Sequence, residues 1–252
     1  MTPLERHLRK WMEKAVVDYG MIRPGDRVAV GISGGGDSTV LSFLLQGPFV
    51  SMTGDFEVEF IHVDPGFPGS KAEQVKEWVA ALGGRCHLVE TEVYDEKKDG
   101  AKRPCFICSR RRRKAIIEKA DELGCNRIAF GHNRNDVVES YLMNIFYNGE
   151  TSCMMPAQEL FSGKFQLVRP MYYVRGHLIK RFAKQSGFPN LEPACPYEDD
   201  SKRELVRGVI KQLEKERPHV ADNIFLSQFK VLKDYMPEMP DGKNPPDTPP
   251  RI

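Results

Sequence analysis

Short apolar runs alternate with helical patterns along most of the chain, and this alternation restricts the possible folds more than any other feature. The runs that read as buried strands are 27–33, 56–64, 85–93, 126–132 and 166–171. Segments with helical periodicity follow each of them, namely 38–47, 71–84, 105–123, 135–149 and 175–186. Strands that alternate with helices predict a parallel sheet covered by helices on both faces. We therefore expect an α/β fold with a doubly wound, parallel, five-stranded sheet.

Further helices are expected before and after this core. Apolar residues recur at helical spacing in the first 22 residues, which predicts an N-terminal amphipathic helix over 1–22. The α/β domain is assigned to 23–190, including a helix that carries two cysteines, and 191–235 is assigned to a C-terminal helical segment with a third. Residues 236–252 are rich in proline and polar residues and are expected to be disordered.

Composition and charge exclude some classes of protein. No apolar run approaches the ~20 residues that a membrane-spanning helix needs, and the N-terminus lacks the apolar core of a signal peptide. We therefore expect a cytoplasmic protein without a membrane partner. The net charge is only +2, so any contact with nucleic acid must depend on a local basic patch.

The stretch SGGGDS, residues 33–38, follows the first predicted strand directly and opens a helix. Glycines at such a turn let backbone N–H groups approach an anion, and the helix N-terminus adds a partial positive charge. Ser33 and Ser38 can donate hydroxyl groups, and Asp37 can help to hold a magnesium ion. The alternative is a glycine-rich turn without a ligand.

Two cysteines, Cys105 and Cys108, stand in the spacing C-x-x-C. Thiolates select zinc or iron–sulfur centres, so a metal site is the first interpretation. A closed zinc site needs a fourth ligand, for which Cys153 or a histidine is available. Unliganded buried thiols are the third interpretation, and it is the one we favour for Cys86 and Cys125, which stand at strand starts.

Five cationic residues follow the cysteine pair at once: Arg110, Arg111, Arg112, Arg113 and Lys114. On a helix they point around the full circle, and Arg110 and Arg113 are expected to share a face. At least one is expected to reach nucleotide phosphates, and others are expected to bind RNA phosphates. The alternative is a solvated helix face.

Three motifs together resemble the PP-loop ATP pyrophosphatases, a superfamily with an adenine nucleotide alpha hydrolase-like fold. SGGGDS is similar to their SGGxDS signature, HVD at 62–64 ends the second strand, and GHNRND at 131–136 ends the fourth. The resemblance implies ATP and Mg²⁺ as ligands. It assigns nucleotide binding to the loop and to the ends of two further strands, namely Ser33, Gly34, Gly35, Gly36, Asp37, Ser38, Asp64, Gly131 and His132, and it gives Asp37 and Asp136 catalytic or magnesium-binding roles.

The cysteine pattern narrows the resemblance to the tRNA 2-thiocytidine synthetases. Cys105 and Cys108, the later VRPM, and Cys195 in PACPY follow one another in that family's order. The resemblance implies that Cys105, Cys108 and Cys195 hold a [4Fe-4S] cluster and take part in catalysis, with zinc as the alternative metal. It implies ATP-dependent replacement of a cytidine oxygen by sulfur in tRNA, and a sulfur donor that is either a cysteine desulfurase or free sulfide. A homodimer is compatible with it.

Two residues depart from the family pattern. Gly36 stands where lysine is usual, and Asn135 stands where the first acidic residue of the GHxxDD-like element is expected. Two alternatives therefore stay open. One is a PP-loop enzyme that acts on another RNA base or a small molecule, and the other is a zinc-bearing nucleotide-binding module without catalysis.

Overall fold

A computed structural model describes residues 1–46, 55–64, 66, 69–91, 104–191 and 202–237. The first half of this chain forms α1 (Pro3–Asp18), β1 (Arg27–Gly31), α2 (Gly36–Leu45), β2 (Glu57–Asp64), α3 (Ala72–Ala81), β3 (Cys86–Glu90) and α4 (Pro104–Glu122). The second half forms β4 (Arg127–Phe130), α5 (Arg134–Met143), β5 (Ala157–Leu160), β6 (Phe165–Val168), α6 (Gly176–Gln185), α7 (Lys202–Glu216) and α8 (Val220–Ser227). A π-helical turn, Asn144–Asn148, continues α5, and a 3₁₀ turn at Lys233–Tyr235 follows α8.

The sheet has the order β3-β2-β1-β4-β6-β5, with β1 near its centre. The pairs β1–β2, β1–β4, β2–β3 and β4–β6 are parallel. The predicted doubly wound α/β architecture is therefore confirmed. Because the five parallel strands point the same way, the loops after β1, β2 and β4 meet at one edge of the sheet, which is where open α/β sheets bind ligands.

The predicted strand count of five is too low, because the described residues form six strands. The additional strand, β5, pairs antiparallel with β6 through a tight turn at 161–164. Phe161, Ser162 and Gly163 all have positive φ in that turn. With only four residues and an exposed edge, β5 is too short to give a recognisable alternation in the sequence.

Alternate side chains of β1 supply two apolar layers, one on each face of the sheet. Val28 and Val30 belong to the larger layer, which also receives α1, α2, α3, α5 and α6. Ala29 belongs to the smaller layer, which is covered by α4 through Ile116 and Ala120. This placement brings α4, with its cysteines and arginines, over the face of the sheet opposite to α2.

The predicted amphipathic N-terminal helix is present as α1. Thr2 caps it, since its Oγ1 accepts a hydrogen bond from the Glu5 N–H at 3.1 Å. Arg9 is buried on the inner face, where its Nε bonds Glu5 at 3.0 Å and its Nη1 donates to the Leu44 carbonyl at 2.8 Å. These contacts attach α1 to the end of α2.

The predicted single helix over 135–149 is divided in the structure. Its α-helical part ends at Met143, and the following turn is wound as a π-helix that ends at Gly149, which has positive φ. Among the helices in the described ranges, none has the length and apolar content to span a bilayer.

Candidate active site

The loop between β1 and α2 is held in shape by its two serines. The Ser33 N–H donates to Ser38 Oγ at 3.1 Å, and Ser38 Oγ donates to the Gly35 carbonyl at 2.9 Å. The Gly35 N–H in turn donates to Ser33 Oγ at 3.2 Å. Gly35 is the N-cap of α2 and has no side chain to cap the helix, so the first N–H groups of α2 open onto the loop. Such a helix start suits a phosphate group.

Two glycines let other backbone segments approach this loop. Gly34 has φ +87°, and a Cβ there would stand 2.6 Å from the Leu191 carbonyl oxygen. The Gly34 carbonyl also accepts a hydrogen bond from the Leu191 N–H at 2.9 Å. Gly131, at the end of β4, lies so close to α2 that a Cβ would stand 3.0 Å from the Ser38 nitrogen. The loop is therefore packed against both the β4 end and the segment that leads towards Cys195.

Asn133 connects the two predicted carboxylates. It caps α5, where its side chain accepts from the Asn135 N–H at 2.9 Å, and its own N–H donates to Asp136 Oδ2 at 2.9 Å. Its amide Nδ2 donates to Asp37 Oδ2 at 3.1 Å. Burial raises the pKa of Asp136, although the Asn133 N–H and Arg203 partly oppose that shift. Asp37 and Asp136 are thus held on two sides of one space by a residue that the sequence analysis did not single out.

That space is a cavity of about 280 Å³ at the carboxyl edge of the sheet. Three elements contribute its polar lining, namely the loop (Ser33, Asp37 and Ser38), the β4 end (Gly131, His132 and Asp136) and α4 (Ser109, Arg112 and Arg113). The glycine loop, the GHNRND motif and the arginine run, which are far apart in sequence, therefore meet in one cavity. It combines phosphate-binding N–H groups with two carboxylates and two guanidinium groups.

The part of α4 that lines the cavity begins beside Cys108. Residues 108, 109 and 112 are separated by one, three or four positions, so they stand close together on the helix. Cys108 is half-buried and packs against the smaller apolar layer, and its neighbour Ser109 lines the cavity. The backbone of Cys105 lies in the first turn of α4, whereas its side chain and all of Cys195 lie outside the described residues.

The arginine run divides between the cavity and solvent. Arg112 and Arg113 line the cavity. Arg110 and Lys114 are exposed on other sides of α4, and Lys114 pairs with Glu118 at 3.5 Å. Arg110 and Arg113 stand three residues apart on the helix, as expected, but of these two only Arg113 lines the cavity, together with Arg112. A contact between these arginines and a nucleotide stays a prediction.

His132 lies in the cavity wall as a neutral imidazole. Burial is the main reason that its pKa falls to about 3, and the nearby cations Arg169, Arg203 and Arg113 lower it further. Its Nδ1 has no hydrogen-bond partner among the described residues. The side chain therefore enters the site uncharged and with one ring nitrogen unsatisfied.

Arg169 is a functional candidate that sequence reasoning missed. It is only 5% exposed, and its Nη1 donates to the Met155 carbonyl, whereas its Nε has no partner within the described ranges. Burial and the neighbouring Arg113 lower its pKa to about 10. The only signal in the sequence is an arginine that directly follows the apolar end of β6, in VRPM.

Asp64 lies outside the cavity. Its Oδ1 accepts from the Gly66 N–H at 2.9 Å, and its Oδ2 accepts from the Ser70 hydroxyl. It lines a neighbouring groove with Lys71 and Glu90, whereas Val63 lines the cavity. Successive side chains of a strand point to opposite faces, so the HVD motif presents its valine rather than its aspartate to the loop.

The two residues that depart from the family pattern have clear surroundings. A Cβ on Gly36 would meet no atom within 4 Å, so the position is open to solvent and has room for a longer side chain. Asn135 uses its Oδ1 to accept the Gly176 N–H at 2.8 Å, at the N-terminus of α6. Its amide therefore fixes α6 to α5 and does not line the cavity.

Three further cysteines, Cys86, Cys125 and Cys153, lie within the described residues. Burial raises the pKa of Cys86 and of Cys125 to about 11, which fits thiols that stay protonated in an apolar layer. Cys153 is half-buried beside Tyr172, and burial raises its pKa as well. In the part of the chain that the structure describes, no three histidine, cysteine or carboxylate side chains converge as a metal site. Two of the three predicted cluster ligands, the side chain of Cys105 and all of Cys195, lie outside the described residues.

Comparison with known proteins identifies the family of this chain. A model of the PP-loop domain family matches residues 2–213. A tRNA-cytidine(32) 2-sulfurtransferase from Pelobacter propionicus is 38% identical over 240 residues, which cover 93% of this chain and 88% of the relative. The protein of the same name from Bdellovibrio bacteriovorus is 35% identical, with coverage of 91% and 90%.

A solved structure supports the fold independently. The U34-tRNA thiolase NcsA from Methanococcus maripaludis, determined with its [4Fe-4S] cluster, superposes with a TM-score of 0.72 over 92% of this chain and 81% of that one. Its sequence identity is 22%, so this likeness concerns the fold. The family match and the curated relatives therefore lead to one assignment, with which the meeting of the three motifs in one cavity is consistent. The chain belongs to the PP-loop domain family, within the group of tRNA-cytidine 2-sulfurtransferases that the sequence motifs predicted.

Proposed function

We propose that this protein is an ATP-dependent tRNA sulfurtransferase that replaces the 2-oxygen of a cytidine with sulfur. The observation that carries the proposal is a single cavity, lined by the loop after β1, by Asp37 and Asp136, and by the part of α4 that directly follows Cys108. Relatives that bear the name tRNA-cytidine(32) 2-sulfurtransferase support tRNA as the substrate.

The loop and α4 are suited to ATP. The uncapped N-terminus of α2 binds phosphate oxygens through backbone N–H groups, and Ser33 and Ser38 shape the loop around them. Arg112 and Arg113 approach from α4 and neutralise the triphosphate, since guanidinium groups match phosphate geometry. Charge that develops on the departing pyrophosphate is then stabilised by groups that are already in position.

Two inorganic groups, Mg²⁺ and an iron–sulfur cluster, fit the residues that are present. Asp37 and Asp136 present carboxylate oxygens to the cavity, which is the donor type that Mg²⁺ prefers. Cys108, with Cys105 on the same helix face and Cys195 later in the chain, provides the thiolates that iron–sulfur clusters require. When bound, a [4Fe-4S] cluster would bring the sulfide that enters the base.

The proposed chemistry has two steps. The cytidine 2-oxygen bonds to the α-phosphorus of ATP, and the bond to the β-phosphate oxygen breaks to release pyrophosphate. Sulfide then bonds to C2, and the C2–O bond breaks so that AMP leaves with the former base oxygen. The chain's contribution is to hold the α-phosphate against the base: the loop fixes the phosphates, and neutral His132 lines the wall of the cavity without adding charge.

The proposal is tested with protein reconstituted anaerobically with iron and sulfide, then incubated with ATP and an unmodified tRNA transcript. Digestion and mass spectrometry should detect 2-thiocytidine, with AMP and pyrophosphate formed in equal amounts. Asp37→Asn should abolish the formation of 2-thiocytidine and the release of AMP and pyrophosphate. Asp121→Asn, which removes an exposed carboxylate near the far end of α4, should leave the formation of all three unchanged. Sulfur in a different nucleoside, or none with reconstituted protein, would overturn the proposed function.

A further inference from the structure

The helix α6 has an outer face on which every charged residue is basic. His177, Lys180, Arg181 and Lys184 recur at spacings of three and four and are all exposed, whereas Ile179 and Phe182 are buried on the opposite side. The helix contains no aspartate or glutamate. We call these four residues the α6 basic face.

The lysines and the arginine of this face differ from several other cations on the surface in their local charge balance. Lys76, Lys119 and Lys164 each pair with a neighbouring carboxylate. His177, at the start of the face, lines a cavity together with Glu214 and Asp222. Within the described residues, no carboxylate pairs with Lys180, Arg181 or Lys184. The α6 basic face is therefore a local concentration of positive charge, as the run from Arg110 to Lys114 is, in a chain with 37 basic and 35 acidic residues.

The α6 basic face begins next to the catalytic cavity. The Gly176 N–H that opens α6 donates to Asn135, which directly precedes Asp136 in the cavity. Arg175 and His177 line a second cavity of about 350 Å³ beside Asn135. The start of α6 therefore lies beside residues of both cavities, and Lys180, Arg181 and Lys184 follow it along the helix.

The chemistry of the face favours phosphates over a protein surface. Protein interfaces place apolar or aromatic residues at their centre, and none of the exposed large apolar residues lies on α6. Lysine and arginine side chains without an apolar centre suit the evenly spaced charges of a nucleic-acid backbone.

We propose that the α6 basic face binds the phosphate backbone of the RNA substrate outside the catalytic cavity. This inference rests on the proposed function, because it names the surface that holds the body of the same substrate. The face positions the RNA without reading its sequence, since phosphates carry little base information.

The test is the salt dependence of tRNA binding by the variant Lys180→Gln/Arg181→Gln/Lys184→Gln. Each phosphate contact contributes about 0.9 to the slope of log affinity against log salt for duplex and ~0.7 for single strands. Loss of three contacts should therefore reduce the slope by roughly 2 to 3, and weaken binding on the order of 100-fold at 0.1 M salt. The affinity for ATP should stay unchanged.

The matched control is Lys76→Gln/Lys119→Gln/Lys164→Gln, which removes the same charge from locally paired positions. An α6 variant with an unchanged slope, or two variants with equal losses, would overturn the inference. The proposed function is judged separately by 2-thiocytidine formation in the wild-type protein. If the wild-type protein thiolates tRNA but the α6 variant keeps an unchanged salt slope, only RNA binding by the α6 basic face is rejected. Binding of an acidic protein to that face would not change this result.

Discussion

Replacement of Gly131 by alanine should disturb the ATP site without touching any side chain in it. A Cβ at this position would stand 3.0 Å from the Ser38 nitrogen, and 3.1 Å from both the Asp37 carbonyl carbon and Ser38 Cα. All three atoms belong to the backbone of the first turn of α2, so no flexible side chain can move aside. Either the end of β4 or the start of α2 must shift by a few tenths of an ångström.

The size of the effect follows from the cost of overpacking. One added methyl group in a tightly packed region costs about 1–3 kcal/mol. If ATP binding restores the original position of the loop, this cost appears in affinity as a ~5- to 150-fold increase in Kd, because each 1.4 kcal/mol is a factor of about ten. If the folded protein carries the strain with or without ATP, the same cost appears in the free energy of unfolding.

Two measurements therefore belong together: the Kd for ATP by calorimetry and the free energy of unfolding by urea titration. The control is Gly208→Ala in α7, where a Cβ would meet no atom within 4 Å, so that ATP affinity stays unchanged and stability rises by up to ~1 kcal/mol. Gly131→Ala protein with an ATP affinity within about twofold of wild type and a stability within ~0.5 kcal/mol would refute the argument from close packing.

Further outcomes follow from the cavity. Cys108→Ala should abolish iron binding and the associated absorbance after anaerobic reconstitution, whereas Cys125→Ala should retain both; iron retained in the first variant would remove Cys108 from the ligand set. Arg112→Gln should raise the Kd for ATP about tenfold or more, whereas Arg110→Gln should leave it unchanged, and equal effects in the two would contradict the division of the arginine run. Burial lowers the pKa of His132 in the folded state to about 3, so the unfolded chain binds an extra proton below about pH 6.5 and stability should fall as pH drops from 7 to 5. His132→Gln should make urea-unfolding free energies less dependent on pH in that window, and an identical pH dependence would show that this histidine is not held neutral.

The sequence predicted those parts of the fold that depend on long, regular patterns. The strands β1, β2 and β4 are short segments rich in apolar residues, although β2 also contains Glu57 and Glu59, and each is followed by a helix. The glycine loop was recognisable because its position between strand and helix has a physical meaning in addition to its composition. The same reasoning placed Asp37 and Asp136 at one edge of the sheet.

Contacts between distant residues were beyond the reach of pattern analysis. Asn133 appeared only as a variable position inside GHNRND, yet its side chain joins Asp37 to the start of α5. Asp64 was expected in the cavity because it ends a strand, but the one-residue alternation of side chains directs Val63 there. Arg169 has no periodic signature at all, since a single buried charge leaves no pattern in a sequence.

The hydrogen bond from the Leu191 N–H to the Gly34 carbonyl connects two parts of the proposed active site. Leu191 stands four residues before Cys195 in the chain, so one end of this bond belongs to the phosphate loop and the other to the approach of the third cysteine. A phosphate that pulls the loop towards itself also pulls on that approach. If cluster binding at the proposed ligand Cys195 makes nucleotide binding more favourable through this contact, nucleotide binding must favour cluster binding by the same coupling free energy. We therefore expect nucleotide activation and sulfur delivery in the proposed enzyme to be coupled through this backbone contact.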